Sequence, residues 1–135
     1  GFAMGSPELI AALNRVKYSF NPYNVNRLSL VAGTAALEDE TYFQTCCASI
    51  CQSRAWAAGE LERLDFTVLP SRANFLFVRS PKIGGEDLYR SLKENGILVR
   101  WFDSPRIRDF VRITVGDLEQ MHTLIDQVEQ LLDTL

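Results

Sequence analysis

The sequence predicts an α+β fold: a small, mostly antiparallel sheet of three to four strands, covered by helices and preceded by a helical arm. Helical spacing of apolar residues dominates the first half of the chain, and short alternating runs dominate the second half. The chain has 135 residues and is 47% apolar, which suffices for one domain with a core of its own. We therefore expect a helical part followed by a mixed part.

Three helices are predicted in the first part. Ser6 and Pro7 supply an N-cap and a proline at the first helical position. This helix ends at the Asn-Pro-Tyr-Asn run of residues 21–24, because proline and asparagine favour a turn. A second helix follows over about residues 25–37 and a third over about residues 40–64.

The second part alternates strands and helices. Apolar runs at residues 67–70 and 75–78 predict strands, and residues 85–95 predict a helix. That helix ends at Gly96, since glycine readily adopts the left-handed conformation that terminates helices. An amphipathic helix over residues 118–132 closes the fold.

Two further runs, residues 96–102 and 109–116, predict strands that each carry one arginine. In the second run apolar residues alternate with polar ones, as in a sheet with one covered face. If the two runs pair as an antiparallel hairpin centred near Arg106, Arg100 falls opposite Arg112. Like charges directly opposite each other are destabilising, so this pair predicts an anion that both arginines share.

A plainer interpretation stays open for these arginines. Both could be ordinary strand residues paired with acids such as Asp109 or Asp117. Arg106 and Arg108 are expected to be solvated turn residues, although they could add positive potential beside Arg100.

Charge and hydropathy exclude several classes of partner. The net charge is −3, and the arginines form no long basic run, which argues against nucleic acid and anionic membranes. No apolar run approaches a membrane span. Residues 1–7 lack the pattern of a signal peptide, and the three cysteines predict a reducing cytoplasm.

The cysteines and the single histidine predict no metal site. Cys46, Cys47 and Cys51 lie in one helical pattern, and their odd number suits a reducing compartment. Cys47 and Cys51 are four apart, as zinc ligands can be, but no further pair completes a site. We expect buried thiols, and His122 in surface or helix-end packing.

Four motifs occur in order along the chain. They are Pro-Tyr-Asn-Val-Asn at residues 22–26, Leu-Pro-Ser-Arg-Ala-Asn-Phe-Leu-Phe-Val-Arg at 69–79, Gly-Ile-Leu-Val-Arg at 96–100 and Val-Arg-Ile-Thr-Val-Gly at 111–116. Together they resemble the C-terminal part of histidinol-phosphate aminotransferases, which are pyridoxal-phosphate enzymes with the aspartate-aminotransferase fold. The resemblance covers essentially the whole chain.

This resemblance implies a function for the intact protein. Such enzymes transfer an amino group between L-glutamate and imidazole-acetol phosphate during L-histidine biosynthesis, and act as cytoplasmic homodimers. It also implies that residues 1–39 form a helical segment belonging to or joining the large domain, and that residues 40–135 form the C-terminal small domain.

The same resemblance implies that part of the active site lies upstream. The family's cofactor-binding lysine precedes an arginine-x-glycine motif whose final glycine matches Gly1. Lys17, Lys82 and Lys93 do not match that lysine. We therefore expect pyridoxal 5'-phosphate to be bound mainly by the missing part, and this chain to be inactive alone, with no catalytic residue of its own.

Five residues match positions that the family uses or places near the site. Arg112 matches the arginine that holds the substrate's α-carboxylate, and Arg100 matches a second arginine near the phosphate or distal acid. Asn74 either caps a turn or frames the active-site mouth. Tyr23 and Asn24 either lie at the junction of the two domains or serve turn chemistry alone.

Two alternatives remain open at this point. The intact protein could be a related pyridoxal-phosphate enzyme, such as an aromatic aminotransferase or a threonine-phosphate decarboxylase. The chain could also be a free-standing, non-catalytic binding domain derived from such enzymes.

Overall fold

The computed structural model describes residues 3–134; Gly1, Phe2 and Leu135 lie outside the described residues, and with them the glycine matched above. The chain forms two compact units, Gly1–Phe43 and Gln44–Leu135. An α+β architecture with a small antiparallel sheet is confirmed.

The first unit is helical, and none of its described residues, 3–43, is buried. It contains α1 (Pro7–Phe20), α2 (Arg27–Glu38) and the first turn of α3 (Glu40–Arg63). The predicted N-cap of α1 is confirmed, because the Ser6 side chain accepts a hydrogen bond from the Leu9 N–H. Neither α1 nor α2 buries a residue. Large apolar side chains more than half exposed include Leu9, Val16, Phe20, Leu28, Val31 and Leu37.

The second unit carries the sheet. Its strands are β1 (Thr67–Val68), β2 (Phe75–Arg79), β3 (Arg100–Trp101) and β4 (Val111–Thr114), in the spatial order β1-β2-β4-β3, and every pairing is antiparallel. The rest of α3, α4 (Gly85–Glu94) and α5 (Leu118–Asp133) complete the unit.

One face of the sheet and the three helices enclose a single core. Alternate residues of β2 and β4 are buried, whereas the residues between them are exposed or half-buried. This is the period of a sheet covered on one side. The core residues are Ala57, Leu61, Phe66, Leu76, Val78, Leu88, Leu92, Val111, Ile113, Val115, Met121, Leu124, Ile125 and Val128.

The strand predicted over residues 96–102 is wrong in length, since only Arg100–Trp101 pairs with β4. The cause lies in how α4 ends. Gly96 has a φ of +80°, and the N–H groups of Gly96 and Ile97 donate to the carbonyls of Lys93 and Leu92. These two hydrogen bonds satisfy carbonyl groups at the end of α4. Because Gly96 and Ile97 take part in this helix end, the chain pairs with β4 only from Arg100 onward.

The prediction of buried cysteines is also wrong. Cys46 and Cys47 are half-buried and Cys51 is exposed. The buried face of α3 follows Ser53, Ala57 and Leu61. Because Cys51 precedes Ser53 by two residues, it lies roughly 200° around the helix, away from the core.

Two further expectations were tested by the structure. Across residues 3–134, no helix is both long and apolar enough to span a membrane. His122 is exposed, and its ring lies 4.0 Å from the Trp56 ring, centroid to centroid, which confirms surface packing.

Candidate functional site

The two arginines singled out by the sequence lie directly opposite each other. The register of β3 and β4 pairs Arg100 with Arg112 and Trp101 with Val111, as the hairpin hypothesis predicts. Both arginines are exposed, whereas Val111 is fully buried. Their side chains therefore project from the sheet face opposite the core.

Aromatic rings lie beside both guanidinium groups. The Arg112 Cζ atom lies 5.5 Å from the centre of the Phe75 ring and 5.8 Å from that of Phe102. The Arg100 Cζ atom lies 5.2 Å from the Phe102 ring centre. Guanidinium groups are attracted to aromatic faces at this range, so the rings support the two cations.

Neither arginine pairs with an acid within the part of the chain that the structure describes. Among residues 3–134, the ion pairs involve Arg63, Lys82 and Arg90, and none involves Arg100 or Arg112. Asp117, an acid that the sequence offers as a partner, instead accepts a hydrogen bond from the Gln120 N–H at 2.8 Å and caps α5. Two adjacent positive charges thus remain available to an anion.

The loop between β3 and β4 fixes this arrangement. The Trp101 Nε1 atom donates to the Arg108 carbonyl at 2.6 Å, and the N–H groups of Ile107 and Arg108 donate to the Ser104 carbonyl. Residues 105–109 form the predicted turn, in which Arg106 and Arg108 are exposed. The loop is therefore closed by its own hydrogen bonds.

A third cation extends the same sheet face. The Arg79 Cζ atom lies 5.6 Å from the centre of the Phe110 ring, and Phe110 stacks on Phe77 with centroids 4.8 Å apart. Phe77 is the β2 partner of Arg112. The sequence analysis did not single out Phe75, Phe77, Arg79 or Phe110. The alternation along β2 nevertheless places Phe75, Phe77 and Arg79 on one face of the strand.

Asn74 lies where the chain enters β2. Its carbonyl accepts a hydrogen bond from the Val115 N–H at 2.9 Å, which extends the pairing of β2 with β4. The Ser71 hydroxyl donates to the Phe75 carbonyl and accepts from the Ala73 N–H, so Ser71 closes the turn that leads into β2. From α3, the Arg54 Nη1 atom donates to the Ala73 carbonyl at 2.6 Å.

Tyr23 and Asn24 lie in the first unit, separate from the unit that carries the arginines. They form the turn between α1 and α2, and Tyr23 is 92% exposed. Asn24 borders an open groove of about 760 Å³ that α1 lines with Ile10, Leu13 and Phe20. A place for these two residues at the junction of the two domains stays a prediction.

The two lysines of the second unit, Lys82 and Lys93, are both exposed. The Lys82 Nζ atom lies 3.7 Å from the Asp65 carboxylate, with both side chains exposed. The Lys93 Nζ atom lies 5.7 Å from the Tyr89 ring centre. These residues offer no buried amine for covalent cofactor attachment. Within the described part of the chain, no cluster of three or more potential ligands could hold a metal ion.

Two comparisons with known sequences connect this chain to a family. The family model for class I and II aminotransferases matches residues 1–128. The histidinol-phosphate aminotransferase of Clostridium botulinum (strain Okra / Type B1) is 38% identical over 135 residues, covering 100% of this chain and 38% of that protein. That of Syntrophus aciditrophicus (strain SB) is 48% identical over 131 residues, or 97% of this chain and 36% of that protein. The chain thus spans little more than a third of these relatives.

Solved structures agree with this fold. The histidinol-phosphate aminotransferase from Clostridium acetobutylicum matches with a TM-score of 0.83 and 27% identity, over 95% of this chain and 39% of that one. The enzyme from Sinorhizobium meliloti, solved in complex with pyridoxal-5'-phosphate, matches with a TM-score of 0.80 over 97% of this chain and 36% of that one. At 20% identity, the second match supports the fold alone.

Proposed function

The chain belongs to the class I and II aminotransferases, and on this premise we propose that it is the C-terminal part of a histidinol-phosphate aminotransferase. The whole protein would transfer an amino group between L-glutamate and imidazole-acetol phosphate in L-histidine biosynthesis. The curated relatives that carry that name, and match 97% and 100% of the chain, support this reaction. In the whole protein, residues 1–39 would join or belong to the large domain, and residues 40–135 would form the small domain.

The observation that carries the proposal is the uncompensated arginine pair. Arg100 and Arg112 share one exposed sheet face, lie opposite each other and have no acidic partner among the described residues. Both substrates of the proposed reaction are anions, one with two carboxylates and the other with a phosphate. The two half-reactions use the same active site, so that site must accept either of these anions.

Arg112 is assigned to the substrate carboxylate. A guanidinium group forms two parallel hydrogen bonds to a carboxylate and stays charged at any physiological pH. Such a fork fixes the orientation of the amino acid as well as its position. The two rings beside Arg112 accept no hydrogen bonds in the plane of its guanidinium group, so its N–H donors remain available to a carboxylate.

Arg100 is assigned to the phosphate or distal acid of the substrate. It lies directly across the strand pair from Arg112, so a substrate held by Arg112 can bring its second anionic group to Arg100 within the same site. Asn74 bonds Val115, three residues along the chain from Arg112, and is proposed to frame the mouth of the site. Tyr23 and Asn24 are proposed at the junction with the large domain.

The cofactor is assigned mainly to the part of the whole protein outside this chain. Pyridoxal phosphate, when bound there, acts as the electron sink for the transfer, and the protein supplies position and charge. The contribution of this chain is to bind and orient the substrate anions. Lys82 and Lys93 are exposed, and Lys17 does not match the family's cofactor-binding lysine, so this chain alone is proposed to be inactive.

The exposed apolar faces of α1 and α2 support a homodimer of the whole protein. Soluble proteins seldom leave such patches uncovered, and neither helix buries a residue in its own unit. We assign the patches to contacts with the large domain and with a second subunit. The cytoplasm is the proposed compartment, since free thiols suit its reducing conditions.

The test is steady-state kinetics of the full-length enzyme with Arg112→Lys. Lysine keeps the charge and removes the fork, so kcat/KM should fall at least ~10²-fold in both half-reactions while cofactor binding persists. Arg106→Lys, in the exposed turn, is the matched control and should leave kcat/KM unchanged. Near-normal turnover of Arg112→Lys would refute the assignment, and preference for aromatic oxo-acids over imidazole-acetol phosphate would favour the aromatic aminotransferase.

A further inference from the structure

Among residues 3–134, Phe102 is the one aromatic side chain that contacts both arginines of the pair. Its ring centre lies 5.2 Å from the Arg100 Cζ atom and 5.8 Å from the Arg112 Cζ atom. Phe75 contacts Arg112 alone, and Phe110 contacts Arg79 alone. One ring therefore lies beside both guanidinium groups.

We propose that Phe102 is a positioning residue that holds Arg100 and Arg112 side by side without neutralising their charge. This inference rests on the proposed role of the pair in binding substrate anions. An acid at this position would also hold the two cations together, but its carboxylate would occupy the hydrogen-bond donors that the substrate needs. An aromatic ring attracts each cation through its face and accepts none of the in-plane hydrogen bonds.

The backbone around Phe102 explains why its ring reaches both arginines. Arg100 and Phe102 are two residues apart, which places them on the same side of an extended chain. Beyond β3 the chain is fixed by the bond from the Trp101 ring to the Arg108 carbonyl and by the bond from the Ser104 N–H to the Phe102 carbonyl. Arg112 reaches the same ring from the neighbouring strand.

The consequence is a pre-organised anion site. Two unsupported arginines opposite each other would separate by rotating into solvent, because like charges at that spacing repel. Binding an anion would then require both side chains to be ordered again, which costs free energy for each. With Phe102 in place, much of that ordering precedes binding, so the ring should raise anion affinity without touching the anion.

The probe for the test is inorganic phosphate, titrated into the 135-residue chain at constant ionic strength maintained with sodium chloride. Binding is followed through the guanidinium Nε–Hε signals of Arg100 and Arg112 in nitrogen–proton NMR spectra. Phe102→Leu should weaken phosphate binding by about three- to tenfold, from the loss of two cation–π contacts. Phe102→Tyr keeps the ring face and should restore the affinity.

Two variants complete the design. Phe102→Glu should form an internal ion pair with the arginines and abolish phosphate binding while the fold persists. Phe110→Leu removes a ring that contacts Arg79 rather than the pair, so it should leave phosphate affinity unchanged. If Phe102→Leu fails to fold, Phe102→Met replaces it as the variant without a ring.

The outcomes separate this inference from the proposed function. Absence of any saturable shift in the unsubstituted chain would refute the pair as an anion site, and the inference with it. Saturable binding that Phe102→Leu and Phe102→Met leave unchanged would overturn the inference alone. Equal losses of phosphate affinity in Phe102→Leu and Phe102→Tyr would also overturn it. Tyrosine keeps the aromatic face on which the inference depends, so it should retain the affinity that leucine loses.

Discussion

Replacing Gly85 by alanine should destabilise the second unit through a backbone collision. Gly85 is buried at the first position of α4. A Cβ atom added there would lie 2.4 Å from the Arg108 carbonyl oxygen and 2.8 Å from the Asp109 carbonyl carbon. Both are backbone atoms of the loop that precedes β4, so either the loop or the helix must move.

The size of the effect follows from the cost of overpacking. Added atoms in a closely packed site typically cost about 1–3 kcal/mol, because neighbours leave their preferred positions. For a unit of this size, each kcal/mol lowers the melting temperature by about 4–8 °C. We therefore expect a decrease in melting temperature of the order of 10 °C for Gly85→Ala.

Gly59→Ala is the matched control. Gly59 is exposed within α3, and no atom lies within 4 Å of an added Cβ. Alanine restricts the unfolded chain and favours a helix, so this variant should gain about 0.5–1 kcal/mol. The two glycine-to-alanine changes should therefore shift stability in opposite directions.

The assay is urea denaturation followed by tryptophan fluorescence. The two tryptophans of the chain, Trp56 and Trp101, both lie in the second unit, so the signal reports that unit. Trp101 also bonds the Arg108 carbonyl that the new Cβ would strike, so the native emission of Gly85→Ala should change as well. Equal stability of Gly85→Ala and the unsubstituted chain would refute the close approach of α4 to this loop.

Four further outcomes are expected. Ser53→Ala should stabilise the second unit by about 1 kcal/mol in urea, because the buried Ser53 hydroxyl has no hydrogen-bond partner among the described residues; a loss would contradict this. Arg63 donates to Glu129 and Glu60, which raises the pKa of Arg63. That stabilisation is complete below the usual arginine pKa and is lost only as pH rises through the raised value, so Arg63→Met should shift thermal melts equally across the neutral range. In the full-length enzyme, Arg100→Ala should cost about one to two decades of kcat/KM with the phosphorylated substrate and less with glutamate, and equal losses would exclude a phosphate-selective role. Finally, borohydride should trap no stoichiometric pyridoxal-phosphate adduct on the 135-residue chain, as mass spectrometry would detect.

Features that depend on local chemistry were predictable from the sequence. Ser6 before Pro7 marks the start of α1, and Gly96 marks the end of α4, because capping needs only a few neighbouring residues. The opposition of Arg100 and Arg112 was predictable for a similar reason. The turn near Arg106 and the alternation of β4 together determine the register.

Features that depend on distant segments were not predictable in this way. Phe75 lies beside Arg112 only because β2 pairs with β4, and nothing in either strand alone specifies the order β1-β2-β4-β3. The contact of Arg54 with Ala73 joins α3 to the entrance of β2 across 19 positions of sequence. Cys51 was wrongly predicted to be buried. Which side of a long helix faces the core depends on the other elements that pack against it.

The most direct test of the central claim, that Arg112 and Arg100 bind the substrate anions, is a crystal structure of the full-length protein with L-glutamate. We expect both nitrogen donors of the Arg112 fork to lie within hydrogen-bond distance of one substrate carboxylate, with Phe102 still beside both guanidinium groups. A glutamate carboxylate held by other residues, with Arg112 facing solvent, would contradict the claim.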